Sequence, residues 1–350
     1  TIDNAGDAIF VDNISAAQSD NIGTLILSSA RHIQFRNNAS TFNALTVNAT
    51  TDIYVDVDLT TDTGDLVLNA DTDSSGGAEG LFLRFGRTLT SAGDIALSAS
   101  SNGVGIVADS FVTMVADGAI TLNDDFTSGG AATLNADNGI NVNGDFSSIG
   151  ATSFNADSDA NGTGTFVVAG SVLINGNISI TANDIDLAGT LSAGASNITI
   201  LVSDGGTIGL GNTAGDMTID GTELQSMTAA NLTIGSTANG NITVDGITAD
   251  NSDNLGTVTL NSGGDINFSN NDSTFNALTV NADASVNVSI LTLRTDTGNL
   301  TLNADADSTG GGDRILLNYG FANVLSSVGD LTLNSGASGV VANGALSLFS

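Results

Sequence analysis

Apolar and polar residues alternate along this chain in short bursts, each introduced by the same kind of turn. Gly64-Asp65-Leu66-Val67-Leu68-Asn69, Gly93-Asp94-Ile95-Ala96-Leu97-Ser98, Gly298-Asn299-Leu300-Thr301-Leu302-Asn303 and Gly329-Asp330-Leu331-Thr332-Leu333-Asn334 follow one formula. A Gly-Asp or Gly-Asn turn leads into apolar-polar-apolar alternation that ends at Asn, Ser or Ala. A period of two places Leu66 and Leu68 on one face of a strand and Val67 on the other. The bursts recur roughly every 20 to 25 residues, the spacing of a solenoid rather than of a globular domain. Leu45 with Val47, Leu66 with Leu68, Ile95 with Leu97 and Ile120 with Leu122 are then successive inward rungs. About 14 or 15 rungs at ~4.8 Å each predict a stack of roughly 70 Å. The expected fold is an all-β chain, a right-handed parallel β-helix (β-solenoid) running as a single continuous body over 1–350. The right hand is not fixed by the pattern; one ground for it is the preference of parallel crossovers.

Two further regularities refine this. Asn48, Asn69, Asn123, Asn135, Asn155, Asn261, Asn281, Asn303 and Asn334 each sit just after a strand core. Stacked coil on coil, they are expected to form amide ladders; the competing reason for Asn there is its tolerance of left-handed turns. A longer period lies above the short one, since Ser40–Ala49 (STFNALTVNA) recurs unchanged as Ser273–Ala282. The offset between copies drifts from 233 there to 234 at Thr61/Thr295 and 236 at Gly93/Gly329. The sequence thus predicts a module of about 235 residues. Residues 19–251 form a first copy, 252–350 begin a second, and the whole is expected to belong to a longer array. The segments Gly77–Thr90 and Gly311–Leu325 break the short rhythm and are expected to project as longer loops.

Composition sharpens the picture. There is no Pro among 350 residues, as expected if every strand must pair on both edges. The formal net charge is -32, with 38 acids against 6 bases. All but Glu79 and Glu223 of the acids are Asp, and the bases are Arg31, Arg36, Arg84, Arg87, Arg294 and Arg314. Such a surface repels phosphate backbones, so nucleic acid is not an expected partner. With no Cys and one histidine, His32, thiolate and multi-histidine metal sites are excluded. No apolar run approaches the length a membrane-spanning helix needs, roughly 18 residues or more, so no span is expected. The sequence opens at Thr1 without a signal-peptide pattern and reads as part of a longer or processed chain. Neither end carries a clear cap, and Leu346–Phe349 is still strand-like, which suggests end-to-end association.

Stretches such as Gly240-Asn241-Ile242-Thr243-Val244 and Gly298-Asn299-Leu300-Thr301-Leu302 resemble the repeats of filamentous-haemagglutinin-type large exoproteins. Asp216–Leu224, followed by Asn231-Leu232-Thr233-Ile234-Gly235, looks like a module of giant bacterial β-strand-repeat surface proteins. The likeness covers essentially the whole chain through degenerate motifs, and the secretion-domain motif of the exoproteins is not among them. It implies a secreted right-handed β-helix at the bacterial cell surface, the other ground for the hand, acting as an adhesin or surface fibre, without catalytic residues to carry over.

The candidate chemistry is acidic. Asp157-Ser158-Asp159-Ala160-Asn161-Gly162 fits the first half of a D-x-D-x-N-G calcium loop, and Asp71-Thr72-Asp73 and Asp305-Ala306-Asp307 head related clusters. All three follow Asn-Ala. Asp71, Asp73, Asp157, Asp159, Asn161, Asp305 and Asp307 are therefore the candidate Ca2+ ligands. Against them stand Val168 where a calcium loop carries its twelfth-position Glu, and the plain turn preference of Asp, Asn and Gly. A polysaccharide-active β-helix is the enzymatic rival, since glycoside hydrolysis needs two carboxylates about 5 to 9.5 Å apart in a cleft and aspartates are plentiful enough to supply such pairs. Such clefts also use aromatic platforms and bases, whereas this chain has two Tyr (Tyr54 and Tyr319), no Trp and no Lys. Phe42, Phe154, Phe268 and Phe275 fall at strand positions and are expected inside. Arg31, His32, Arg36, Arg84 and Arg87 are expected to neutralise Asp-rich turns locally, with lateral contact to an acidic neighbour as the alternative. The expected function is a non-enzymatic extracellular structural or adhesive rod, self-associating or binding a cell-surface or glycan ligand. A self-assembling filament, sheath or surface-layer subunit is the second expectation.

Overall fold

The structure, a computed structural model, describes residues 1–350 apart from 75–76, 101–102, 310–311, 318–322 and 337. Strand accounts for 51% of the chain and helix for 4%, and the strands stack in parallel in the order expected of a β-solenoid. The chain divides into two compact units, residues 1–178 with 186–191, and residues 179–185 with 192–350. The expected module boundary at 251/252 lies inside the second unit, because compactness follows coil stacking and ignores where the sequence begins to repeat.

In the first unit each regular coil contributes one strand to each of three parallel sheets. One sheet runs through Thr24–Ser29, Ala44–Ala49, Leu66–Asn69, Ile95–Ser98, Ile120–Leu122 and Ile140–Val142. The second takes Ile9–Val11, Ile33–Phe35, Ile53–Val55, Gly80–Leu83, Gly105–Ala108, Phe126–Ser128 and Phe146–Ser148. The third takes Ser40–Phe42, Leu59–Thr61, Arg87–Ser91, Val112–Ala116, Ala132–Ala136 and Thr152–Asn155. Register confirms the inward rungs, since Leu45 partners Leu66, Leu66 partners Ile95, and Ile95 partners Ile120. The step from Ile120 to Ile140 is a short coil, whereas that from Leu66 to Ile95 exceeds the expected spacing through an insertion at its turns.

Apart from Ile9 and Leu25 near the N-terminal end, inward apolar residues on the three sheets are sealed from solvent, and Phe42 and Phe154 are at 0% exposure as expected. Rings meet along the axis: Phe126 stacks on Phe146 at 4.9 Å, and Phe154 contacts Phe146 at 5.3 Å and Phe166 at 4.7 Å. Buried hydroxyls at one corner bond to each other and to turn carbonyls. Thr61 Oγ1 donates to Ser91 Oγ (2.9 Å), and Ser91 Oγ lies 3.0 Å from Gly64 O.

The second unit repeats the scheme, with Asn197–Val202, Met227–Ile234, Leu255–Ser262, Leu278–Ala282, Leu300–Ala304 and Leu331–Asn334 forming one side. Ile242–Asp245, Ile266–Phe268, Val286–Val288 and Ile315–Leu317 form another, while Ser273–Phe275, Thr292–Thr295 and Asn323–Ser326 belong to a third. Phe268 and Phe275 are fully buried. The identical decapeptides adopt the same structure, as Ser40–Phe42 and Ser273–Phe275 are strands with the same buried pattern. Even the anchors recur: Ile14 N–H donates to Ser40 Oγ at 3.2 Å, and Ile247 N–H to Ser273 Oγ at 3.3 Å.

One expectation needs correction. Gly77–Thr90 and Gly311–Leu325 are not projecting loops throughout, for Gly80–Leu83, Arg87–Ser91, Ile315–Leu317 and Asn323–Ser326 are strands. In the first segment Leu81, Leu83 and Leu89 keep the inward alternation, which the outward Phe82 disguises in sequence. Tyr319 lies outside the described residues. Among the described residues three short helices also occur, at Ala16–Ser19, Gly221–Gln225 and Ala249–Ser252. The second is held by a capping box, in which Asp220 accepts from the N–H groups of Thr222 (2.7 Å) and Glu223 (2.8 Å). Glu223 in return accepts the Asp220 N–H at 2.8 Å.

Candidate functional site

Many of the aspartates are builders of turns. Asp94 N–H donates to the Asp65 carboxylate at 2.9 Å, and Ala119 N–H to the Asp94 carboxylate at 2.8 Å. Asp145 N–H likewise bonds Asp125 (3.0 Å), and Ser171 N–H bonds Asp145 (2.8 Å). In the second unit Asp265 N–H bonds the Asn241 amide oxygen and Ser285 N–H bonds Asp265, both at 2.9 Å. Each side chain thus holds the turn of the next coil, about 4.8 Å away. That reach suits Asp and Asn better than Glu, which must order one more rotatable bond. At these turns it favours Asp over Glu, in keeping with 36 Asp against 2 Glu in the chain.

The three acidic clusters that sequence singles out share a backbone turn. Ser74 N–H donates to Asp71 O, Ala160 N–H to Asp157 O and Ser308 N–H to Asp305 O, at 3.0 to 3.2 Å. Their carboxylates differ. Asp157, 1% exposed, accepts Asn161 N–H at 3.1 Å and Gly162 N–H at 3.0 Å, while Asp159 accepts the Asn161 side-chain amide at 2.6 Å. This cluster, including Asn161, is closed on its own hydrogen bonds. Asp307 accepts from Thr309 Oγ1 (2.5 Å) and N–H (3.0 Å), bonds that hold its carboxyl below the usual range. Burial, with the charge of Asp307, raises nearby Asp283. Asp71 is also 1% exposed, but both its carboxylate oxygens are buried without a hydrogen-bond partner. One of them lies with oxygens of Asp73 and Glu79 in a group whose members are all within 4.8 Å of one another. Glu79 is the member sequence reasoning missed, although it is one of only two glutamates in the chain.

A second feature is an aromatic row on the outer surface of the first unit. Phe10, His32, Tyr54 and Phe82 make successive ring contacts at 5.6, 5.8 and 5.3 Å, the last pair stacked within 17°. Arg36 sits 4.2 Å above the Phe10 ring and Arg84 4.5 Å above Tyr54. The Arg84 guanidinium also forks onto Asp56 through bonds of 2.6 and 2.8 Å, and Arg87 lies 3.7 Å from Asp58. Arg84 and Arg87 therefore do neutralise acidic turns, as expected. Tyr54 donates to Asp52 at 2.9 Å; burial, and then that acceptor, raises its phenol. Farther along, Phe85 and Phe111 are 67% and 50% exposed, and Phe111 lies over Gly86, where any side chain would strike its ring. Gly86 also holds φ +69°, a conformation open to glycine. The signal in sequence was an aromatic or His once per coil at outward positions, blurred by unequal coil lengths.

No protein-family model matches the chain, and no curated protein or solved structure does.

Proposed function

We propose that the chain is a non-enzymatic extracellular structural and adhesive β-solenoid, a segment of a large bacterial surface adhesin or fibre protein. Its adhesive contact is the aromatic–arginine face of the first unit, and its ligand is a neutral glycan. The observation that carries this reading is the outward row Phe10, His32, Tyr54 and Phe82 with Arg36 and Arg84 seated on its rings. Outward aromatics do nothing for the inner core, so their alignment calls for another use. Sugar C–H faces pack on such rings, and the Arg84–Asp56 and Tyr54–Asp52 heads offer donors and acceptors to hydroxyls. Arg–Asp pairing leaves this face close to neutral on a chain of net charge -32, so an uncharged ligand meets the least repulsion. The non-enzymatic part is supported by carboxylates committed to turn N–H groups from coil to coil.

Binding of the full chain to immobilised neutral polysaccharides and to whole cells tests this. The Tyr54→Ser/Phe82→Ser double variant should lose binding by roughly tenfold or more, on the scale of two lost aromatic contacts, with its melting temperature little changed. Wild-type binding that survives the double variant would refute the assignment of the face. Ordered filaments in electron micrographs without ligand binding would favour the self-assembling subunit. Release of reducing or unsaturated sugars would favour the enzyme.

A further inference from the structure

We infer that Asp71, Asp73 and Glu79 form a Ca2+ site at a turn of the first unit, independent of the adhesive face. The geometry of the three acids is the first ground. One carboxylate oxygen from each lies within 4.8 Å of the other two, the distance spanned end to end by two Ca–O bonds of about 2.4 Å. The second ground is the state of Asp71. Its side chain is 1% exposed, and neither carboxylate oxygen has a hydrogen-bond partner. A buried carboxylate left without donors is strongly unfavourable, and two further acids beside it raise the cost. A divalent cation supplies Asp71 with its missing partner and offsets the charge of all three acids.

The contrast with Asp157 shows that the sequence pattern alone does not create this demand. Asp157 has the same 1% exposure and follows the same Asn-Ala, yet N–H groups of Asn161 and Gly162 fill its two oxygens. At Asp71 the chain runs instead to Glu79, whose carbonyl accepts Val104 N–H (2.9 Å) from the next coil. A β-carbon at Gly103 would strike that same carbonyl and lie 3.2 Å from Asp71 Oδ2, so the next coil closes over the carboxylate. The position of Asp71 is fixed from the other side, where its N–H donates to Thr51 O at 2.7 Å. The set of acids also recurs, because Asp305, Asp307 and Asp313 stand in the second copy where Asp71, Asp73 and Glu79 stand in the first. An all-oxygen, carboxylate-rich set without nitrogen or sulfur ligands selects a hard cation, and Ca2+ tolerates irregular geometry that Mg2+ does not.

The test is calcium titration of the full chain, calorimetrically and by thermal melting, in about 0.15 M salt with excess Mg2+ to suppress diffuse binding to surface acids. Wild type should bind Ca2+ saturably and melt at higher temperature with it. Asp71→Asn should bind one equivalent fewer, and Glu79→Gln should bind that equivalent roughly tenfold or more weakly. Asp159→Asn, in the self-satisfied loop, should match wild type. The inference is overturned if wild type binds no Ca2+ under these conditions. It is equally overturned if the Asp71→Asn and Glu79→Gln variants bind as wild type does. Glu79 is only partly buried, so its variant keeps the test decisive should Asp71→Asn fold poorly.

Discussion

At the scale of single residues, one acid type meets three different fates. Asp65 and Asp94 hold a neighbouring turn, Asp157 holds its own loop, and Asp71 is left facing two other acids. Asp245 shows how pH should read such differences. It is 4% exposed and accepts from Asn271 N–H (3.1 Å), Asn271 Nδ2 (2.8 Å) and Asn270 Nδ2 (3.0 Å). Burial acts to raise its carboxyl, but these bonds outweigh it and the net shift is downward from 3.8. A depressed carboxyl contributes stability above its unfolded value and loses it as pH falls through the folded one. Wild type should therefore melt above Asp245→Asn at neutral pH, with the gap closing only below 3.8 in a series of melts across pH. Asp71 and Asp73 were legible as ligand candidates because they are close in sequence. Glu79 was not, because it stands six residues beyond Asp73, outside the D-x-D pattern.

At the scale of elements, periodicity carried the strands and failed where an outward position was apolar too. Leu81-Phe82-Leu83 is a regular strand that reads as an interruption for this reason. The short helix Gly221–Gln225 was hidden differently, since so few residues cannot show a helical period and only its capping pair marks it. The amide ladders were legible, and the structure forms them at Asn48–Asn69 (2.9 Å), Asn261–Asn281 (2.8 Å), Asn281–Asn303 (2.6 Å) and Asn303–Asn334 (2.6 Å). Asn123 joins Asn143 at 3.1 Å, a partner not anticipated. The Asn135–Asn155 pair is in register, yet Asn155 Oδ1 is buried without a partner, and that rung departs from the rule. Asn281 is the informative residue because it bonds in both directions. Asn281→Ala should cost about 1–2 kcal/mol in chemical denaturation, since two side-chain bonds go and their partners lose a mate. An equal change to Asn69→Ala would show that position along a ladder does not matter.

At the scale of the whole molecule, a charge of -32 first suggested what the chain would avoid binding. The structure turns it into a by-product of construction, because a turn that needs a short acceptor every coil accumulates aspartates. Self-repulsion then opposes folding, and screening should relieve it. Raising salt from roughly 0.02 to 0.5 M, which shortens the screening length several-fold, should raise the melting temperature; a flat response would show that turn hydrogen bonds already absorb the charge. The coil-to-coil acceptor has one more consequence. Asp125 presents to Asp145 what Asp145 presents to Ser171, and Phe126 faces Phe146 in register. If residues 126–145 were excised, Asp125 would run directly into Phe146, which would take the place of Phe126 beside Ile106, with sheet partners and turn acceptor of the same kind on either side of the join. Such a chain can change length by whole turns through unequal exchange between its own repeats, without any intermediate that must invent a new core.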